Sequence, residues 1–165
     1  MEAASPTAPA VRFPALVTDD LNGDRQKIPA TLPGQLKLFL IAYQREQQAD
    51  LDPWLTIGLG LERRHAGFRV YELPTLSARW QVARGWIDDG MRRGIPGREA
   101  RARTLTLYLD TAAFNRALAL PDDRSVYALL VDASGAVVWR QAGRPDDASA
   151  ATLGREVAAR LDAAR

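Results

Sequence analysis

Four consecutive polar residues, Arg45-Glu46-Gln47-Gln48, have the clearest potential for chemistry in this sequence. They follow a continuous apolar run, Leu36–Tyr43, and precede a stretch with helical spacing. The first turn of a helix has free N–H donors, so polar groups there can bind an anion or the backbone of a partner. Alternatively, Glu46 only complements the helix dipole and the glutamines are solvated. The residues by themselves leave both interpretations open.

A second group combines arginine with tryptophan and is the densest basic part of the chain. We predict a candidate partner surface from six residues, with Arg103 beside them: Trp80, Trp86, Arg92, Arg93, Arg98 and Arg101. Such a surface suits acidic lipid head groups, a phosphate group or an acidic protein. The alternative is a solvated loop. Asp88-Asp89 precede Arg92-Arg93 at helical spacing, which predicts intrahelical ion pairs.

The residue inventory argues against several kinds of catalysis. The sequence contains no cysteine, which excludes thiol nucleophiles, thiolate metal sites and a dithiol redox cycle. His65 is the only histidine, and a surface position at a helix end is expected for it. Gly58 and Gly60 lack the strand and lysine context of a phosphate loop. We therefore predict no catalytic residue, no metal site and no cofactor.

Composition indicates a globular protein of one domain. The chain has 165 residues, of which 47% are hydrophobic and 25% charged, with a formal net charge of +2. Because few groups titrate near neutrality, the pI of about 9.3 is not a sign of nucleic-acid binding. No run reaches the length of a membrane span, so any membrane association is expected to be peripheral. We expect a protein partner and leave the oligomeric state open.

The N-terminal region differs in composition from the rest. Residues 1–11 are rich in Ala, Pro, Ser and Thr and are interpreted as a flexible leader, with a single domain over residues 12–165. The leader is either a natural terminus or the spacer behind a removed signal or anchor. The second case favours a periplasmic or other extracytoplasmic location, and the sequence does not decide between them.

Hydrophobic periodicity predicts an α/β fold. After an N-terminal β-hairpin that turns at Asn22-Gly23, the order is β-α-β-α-β-α-β-β-α. The predicted strands are Leu36–Tyr43, Phe68–Leu73, Thr104–Leu109, Val126–Val131 and Val137–Arg140. The first three strands are separated by helices and should run parallel, whereas the last two form an antiparallel hairpin. We expect a mixed sheet of about five strands with helices on both faces.

Helical spacing also predicts which side chains these helices bury. The helix from about Gln47 to Arg64 should bury Leu51, Leu55 and Leu59, with Trp54 and Leu61 widening that face. Trp80, Ala83, Ile87 and Met91 follow helical spacing after Ser77, with Val82 and Trp86 beside them. The pattern favours core positions for most tryptophans and leaves Trp80 or Trp86 as the one exposed for binding. The segment Gly97–Arg103 is expected to be an exposed charged connection.

Three features together resemble the thioredoxin superfamily, in the form found in peroxiredoxins and periplasmic thiol–disulfide proteins. Leu40-Ile41-Ala42 stands where that family has an FWA-type strand end, and Pro53 matches its helix proline. Val131–Arg140 is similar to its "IDxxGxIxWR" hairpin. On this alignment Arg45–Gln48 occupies the Cys-x-x-Cys position, and Val126 stands near the family's cis-proline. The resemblance implies a thioredoxin-like three-layer sandwich without thiol–disulfide or peroxidase activity.

Within that superfamily, short matches resemble the mitochondrial ATP synthase assembly-factor family of thioredoxin-like fold and its bacterial relatives. The matching segments are Ala42-Tyr43-Gln44-Arg45, Asp52-Pro53-Trp54, Tyr71-Glu72-Leu73-Pro74, Met91–Pro96 and Tyr127. This resemblance implies non-catalytic help in assembling a membrane complex.

Two functional hypotheses follow. The first is a redox-inactive binding or assembly protein, chaperone-like in action, with exposed surfaces at Arg45–Gln48 and Trp80–Arg103. The second is a small-ligand-binding protein or non-thiol enzyme that reuses the thioredoxin active-site cleft, with Arg45 and Glu46 as working groups. The second predicts a closed pocket and a carboxyl group with a shifted pKa.

Overall fold

The structure is a computed structural model and describes residues 10–165, so residues 1–9 of the expected leader lie outside it. The strands are β1 Leu16–Asp19, β2 Arg25–Ile28, β3 Leu36–Ala42, β4 Phe68–Ser77, β5 Leu107–Leu109, β6 Tyr127–Val131 and β7 Val137–Ala142. The helices are α1 Gln48–Arg64, α2 Arg84–Gly94, α3 Arg98–Ala102, α4 Thr111–Ala117 and α5 Asp147–Ala163. The 3₁₀ segments Arg45–Gln47 and Ala78–Ala83 precede α1 and α2.

A mixed sheet of five strands forms the centre of the molecule, in the order β5-β4-β3-β6-β7. Strands β3, β4 and β5 run parallel to one another. Strand β6 is antiparallel to β3, and β7 is antiparallel to β6. The predicted α/β class, the three parallel strands and the final antiparallel hairpin are therefore confirmed.

Strand β3 is buried along its whole length because both faces of the sheet are covered. Its side chains alternate between two core clusters, as the pleat of a strand requires. Leu38 and Leu40 pack with α1 and α5, through Leu51, Trp54, Leu153 and Val157. Phe39 and Ile41 pack on the other face with α4 and the N-terminal region, through Phe114, Leu118, Phe13 and Ile28.

The N-terminal hairpin forms a separate sheet of two antiparallel strands, β1 and β2. Its turn includes Gly23, whose φ is 88°. The turn predicted at Asn22-Gly23 rests on such a positive φ, which glycine adopts without strain. Phe13 lies before β1 and packs in the core, where its N–H donates to the Gly135 carbonyl oxygen over 2.8 Å. The carbonyl oxygen of Val11 accepts from Val137 over 2.8 Å.

Helix α1 buries a slightly different stripe from the predicted one. Leu51, Trp54, Gly58 and Leu61 are its buried residues, whereas Leu55 and Leu59 are only partly buried. The reason is a close approach to β4. A Cβ atom added at Gly58 would lie 2.9 Å from Val70 Cβ, so glycine allows the helix to rest directly on the strand.

The chain between β4 and β5 departs most from expectation. No residue from Leu76 to Arg103 is buried. Ala83, Ile87 and Met91 are partly buried, whereas Trp80 and Trp86 are both exposed, although the pattern favoured core positions for most tryptophans. The face of the sheet on this side is already covered by α4 and the N-terminal hairpin. Helix α2 therefore packs at the sheet edge, where Arg84 pairs with Asp19 and lies over the Tyr108 ring.

The segment Gly97–Arg103 was expected to be an exposed connection, but most of it forms α3. The Arg103 side chain is only 12% exposed and pairs with Glu62 over 2.7 Å. Arg103 also donates to the Val70 carbonyl oxygen over 2.8 Å, which anchors the segment beside β4.

Candidate functional site

The polar loop Gln44–Gln48 connects the carboxyl end of β3 to α1. In open α/β sheets, sites lie at the carboxyl ends of parallel strands, where loops and helix N-termini converge. The 3₁₀ turn Arg45–Gln47 begins the helical stretch that α1 continues. The structure thus places Arg45, Glu46, Gln47 and Gln48 together at the position predicted for them.

Gln47 is buried and fixes the shape of this loop. Its Oε1 accepts hydrogen bonds from the backbone N–H groups of Tyr43, over 2.7 Å, and Gln44, over 3.1 Å. Its Nε2 donates to the carbonyl oxygen of Asp123 over 2.9 Å. Gln47 therefore ties the polar loop to the neighbouring Pro121–Val126 connection, and it cannot present its amide to a partner as a solvated glutamine would.

Two tyrosine hydroxyls form hydrogen bonds next to the polar loop. The Tyr43 hydroxyl donates to Asn115 Oδ1 of α4, and both side chains are buried. Burial raises the pKa of Tyr43, so this hydroxyl keeps its proton. The Tyr127 hydroxyl donates to the Asp122 carbonyl oxygen over 2.9 Å. Val126 stands beside them with a trans peptide bond before it, where the resemblance had placed a cis-proline.

Arg45, Glu46 and Gln48 are exposed, in contrast to Gln47. On the alignment made from the sequence, Arg45 and Gln48 stand at the two cysteine positions. The loop therefore presents a guanidinium, a carboxylate and an amide on a rigid base. These groups can form ion pairs and hydrogen bonds with a partner, and neither Arg nor Gln supports thiol exchange.

Glu72 is a site residue that the sequence analysis treated only as part of a family match. It lies on β4, is 9% exposed, and accepts a hydrogen bond from Gln48 Nε2 over 3.1 Å. The same Gln48 amide nitrogen donates to Asp52 Oδ1 over 2.7 Å. Burial raises the pKa of Glu72, opposed by the Gln48 hydrogen bond. The sequence could have indicated this position. Glu72 is two and four residues after Val70 and Phe68 on the same strand, so its side chain is on the face that packs against α1.

The second predicted surface is present in part. Trp80 is 47% exposed and Trp86 is 77% exposed, and Val82 between them is 96% exposed. Arg93 and Arg98 are also exposed. The guanidinium of Arg79 lies over the Trp80 ring, 5.5 Å from its centroid. We call Arg79, Trp80, Val82, Trp86, Arg93 and Arg98 the tryptophan–arginine surface.

Arg92 and Arg101 were predicted to belong to this surface, but the side chains of both form hydrogen bonds within the molecule. Arg92 donates to the Leu21 carbonyl oxygen over 2.6 Å and pairs with Asp89, which confirms one predicted intrahelical ion pair. Arg101 donates to the Arg92 carbonyl oxygen over 2.7 Å. Asp88 pairs with Arg84 instead of with the arginines that follow it.

Two surface cavities in the described chain lie away from the polar loop. A groove of about 670 Å³ lies at the opposite end of the sheet, lined by residues that include Gly34, His65 and Leu161. A cavity of about 80 Å³ lies beside β1 and β5. Within residues 10–165, His, Asp and Glu do not form a group of three suited to a metal ion. No helix in that range is long and apolar enough to cross a bilayer.

Comparisons with known proteins agree on the fold. No family model and no curated protein matches the chain. Among solved structures, the chain is similar to the thioredoxin domain of a thiol-disulfide oxidoreductase from Bacteroides vulgatus, at 17% identity and a TM-score of 0.60. That alignment covers 92% of this chain and 99% of that one.

Two further solved structures resemble the chain over most of its length. A member of the Sco family of cytochrome c oxidase assembly proteins matches with 10% identity and a TM-score of 0.65, covering 93% of this chain and 95% of that one. A hypothetical protein from Sinorhizobium meliloti matches with 13% identity and a TM-score of 0.62, covering 96% and 87%. The chain thus has a thioredoxin-like fold and lacks cysteine. The comparisons do not support the ATP synthase assembly-factor branch.

Proposed function

We propose that this cysteine-free thioredoxin-fold protein is a redox-inactive binding or assembly factor that contacts a protein partner through its polar loop. The observation that carries the proposal is the contrast within the loop. Gln47 is buried and fixes the backbone, while Arg45, Glu46 and Gln48 are exposed. Function has to be argued from the site, because a fold is shared by proteins of many functions.

The chemistry of the loop suits recognition of a polar segment. Arg45 offers a planar set of N–H donors for a carboxylate, and Glu46 offers an acceptor for a basic side chain or a backbone N–H. A pre-shaped loop loses little conformational entropy when a partner binds. A subunit of a membrane complex is one class of partner, and the ATP synthase is the complex suggested by the sequence resemblance.

Site-specific photocrosslinking in the native cells tests this proposal. A photoreactive residue replaces Arg45 or Glu46 in turn, and the matched control replaces Arg155, an exposed residue of α5. We expect the same defined protein to be crosslinked from both loop positions and not from the control. The variant Arg45→Ala should weaken binding of that purified protein by about tenfold, the size of one charged hydrogen bond. Identical crosslinking from loop and control would contradict the proposal.

One observation favours the second hypothesis, a small-ligand site or non-thiol enzyme. Glu72 is a buried carboxyl group with a raised pKa, linked through Gln48 to Asp52 at the N-terminal end of α1. Groups of this kind occur at functional sites as well as in structural networks. Mass spectrometry of gently purified protein distinguishes the two functions. A metabolite retained by the wild type and lost from Glu72→Gln, without a loop-specific protein partner, supports the second.

A further inference from the structure

We propose that the tryptophan–arginine surface binds the head-group region of an anionic lipid bilayer. This surface shares no residue with the polar loop, and the proposal does not depend on the proposed function. Its apolar members protrude instead of packing, with Val82 96% exposed and Trp86 77% exposed. Elsewhere in the chain, Trp54 is fully buried and hydrogen-bonded to the Gly143 carbonyl oxygen. Trp80 and Trp86, in contrast, belong to neither core cluster.

The exposed residues come from the 3₁₀ segment Ala78–Ala83, α2 and the start of α3. Within α2, Trp86 and Arg93 are seven residues apart, a spacing that falls on one helix face. Ile87 and Met91 lie on the other side and are partly buried against the molecule. Val17 of β1 is 59% exposed, and it lines the same small cavity as Gln81 and Arg84. Helix α2 thus has apolar residues on two sides. Ile87 and Met91 are on the partly buried side, and Trp86 is on the side that no part of the described chain covers.

Charge is distributed unevenly between this segment and the rest of the chain. Ala78–Arg103 contains seven arginines and three acidic residues, a net charge of +4. The whole chain has a net charge of only +2, so the remainder carries −2. The three outermost arginines, Arg79, Arg93 and Arg98, form no ion pair within residues 10–165. Such a cationic face is complementary to an anionic surface.

The shape of the surface favours a bilayer over a folded protein partner. The three exposed apolar residues, Trp80, Val82 and Trp86, are interspersed with arginines along the segment, and none of them lines either of the two cavities described above. A protein hot spot usually pairs a tryptophan with a fitted pocket or a flat desolvated patch. Membrane-surface helices combine protruding Trp with flanking Arg, because indole rings settle at the head-group level and guanidinium groups pair with phosphates.

Binding to vesicles of defined composition tests the proposal with the whole chain. The probes are phosphatidylcholine vesicles and vesicles that also contain about 30% phosphatidylglycerol. We expect cosedimentation and a blue shift of tryptophan emission only with the anionic vesicles. Added salt should weaken the binding, since screening shortens the range of the surface potential.

Three variants assign the effect to this surface. The double variant Arg79→Gln/Arg93→Gln should weaken vesicle binding by about tenfold or more. Each arginine near an anionic membrane surface contributes about fivefold to the affinity. The control double variant Arg63→Gln/Arg116→Gln removes the same amount of charge from exposed positions on α1 and α4, and it should change vesicle binding little. Trp86→Ala should bind more weakly and lose most of the blue shift. Circular dichroism and urea titration establish that each variant folds.

Several results would overturn the proposal. Equal binding to neutral and anionic vesicles, or an equal loss in the control variant, would remove the charge argument. A blue shift that grows with protein concentration in the absence of lipid, with dimers in analytical ultracentrifugation, would assign the surface to a second copy of the chain. Absence of binding to anionic vesicles at low salt would leave an acidic protein as the occupant to test.

Discussion

The polar loop and the tryptophan–arginine surface both expose arginine, but the structure beneath them differs. The loop is held by buried hydrogen bonds in which Gln47 Oε1 accepts from the Tyr43 N–H and Asn115 Oδ1 accepts from the Tyr43 hydroxyl, and it follows a fully buried strand. The tryptophan–arginine surface belongs to a stretch with no buried residue. The loop keeps a defined geometry without the thiols that usually occupy it. The surface keeps large apolar side chains in solvent, where the proposed bilayer would cover them.

The sharpest test of this contrast replaces one tryptophan in each region. Trp54→Ala should lower the free energy of unfolding by about 3–5 kcal/mol, because it empties a fully buried site against Trp139 and removes the hydrogen bond to Gly143. Trp86→Ala should change it by no more than about 0.5 kcal/mol, since that ring is 77% exposed. Urea titration measures both. Similar losses would mean that Trp86 packs on the protein in solution.

A second test removes the brace of the polar loop. Gln47→Ala leaves the Tyr43 and Gln44 N–H groups and the Asp123 carbonyl oxygen without their partner, so the free energy of unfolding should fall by about 1–3 kcal/mol. Hydrogen exchange should become faster at the Tyr43 and Gln44 amides. The matched control is Gln48→Ala, which removes an exposed neighbour that does not hold the loop backbone. Unchanged exchange in Gln47→Ala would show that the loop does not depend on this side chain.

The smallest expected effect concerns Glu72 and depends on pH. Burial raises the pKa of Glu72 in the folded state above its value in the unfolded chain, about 4.3. Its contribution to stability is therefore complete below that unfolded value and is lost as the pH rises through the folded pKa. Glu72→Gln should be more stable than wild type near neutral pH, and the difference should disappear in acid.

Unfolding in urea at several values between about pH 4 and about pH 8 measures this difference. Asp52→Asn is the control, because Asp52 accepts from the same Gln48 amide and is exposed. A stability difference between Glu72→Gln and wild type that stays constant across the pH range would show that burial does not shift this group.

Most of the fold was predictable because its signals are local. Leu36–Ala42 is a continuous apolar run, which is typical of a strand covered on both faces, and the structure confirms it as β3. The hairpin after β6 was predictable from Asp132–Gly135, where Asp132 Oδ1 accepts from the N–H groups of Ser134 and Ala136. Boundaries were less accurate. Strand β4 runs on through Pro74 to Ser77, because β5 pairs with its last residues.

The candidate site was predictable in position and not in detail. The alignment placed Arg45–Gln48 at the loop, but no local pattern separates a buried glutamine from an exposed one. Gln47 is buried because its amide reaches Asp123, which is distant in sequence. Glu72 joins the site through Gln48 for the same reason. Arg103 was expected in solvent and is held by Glu62 of α1.

The sequence by itself determined the order of strands and helices along the chain, the absence of thiol chemistry and the position of the polar loop, because these follow from hydrophobic periodicity and residue type. Only the tertiary structure decided which polar residues are braced and which tryptophans are exposed. The helical spacing of Trp80, Ile87 and Met91 is the same whether a helix covers the sheet or lies at its edge. The outcome depended on α4 and the N-terminal hairpin, which occupy that face of the sheet.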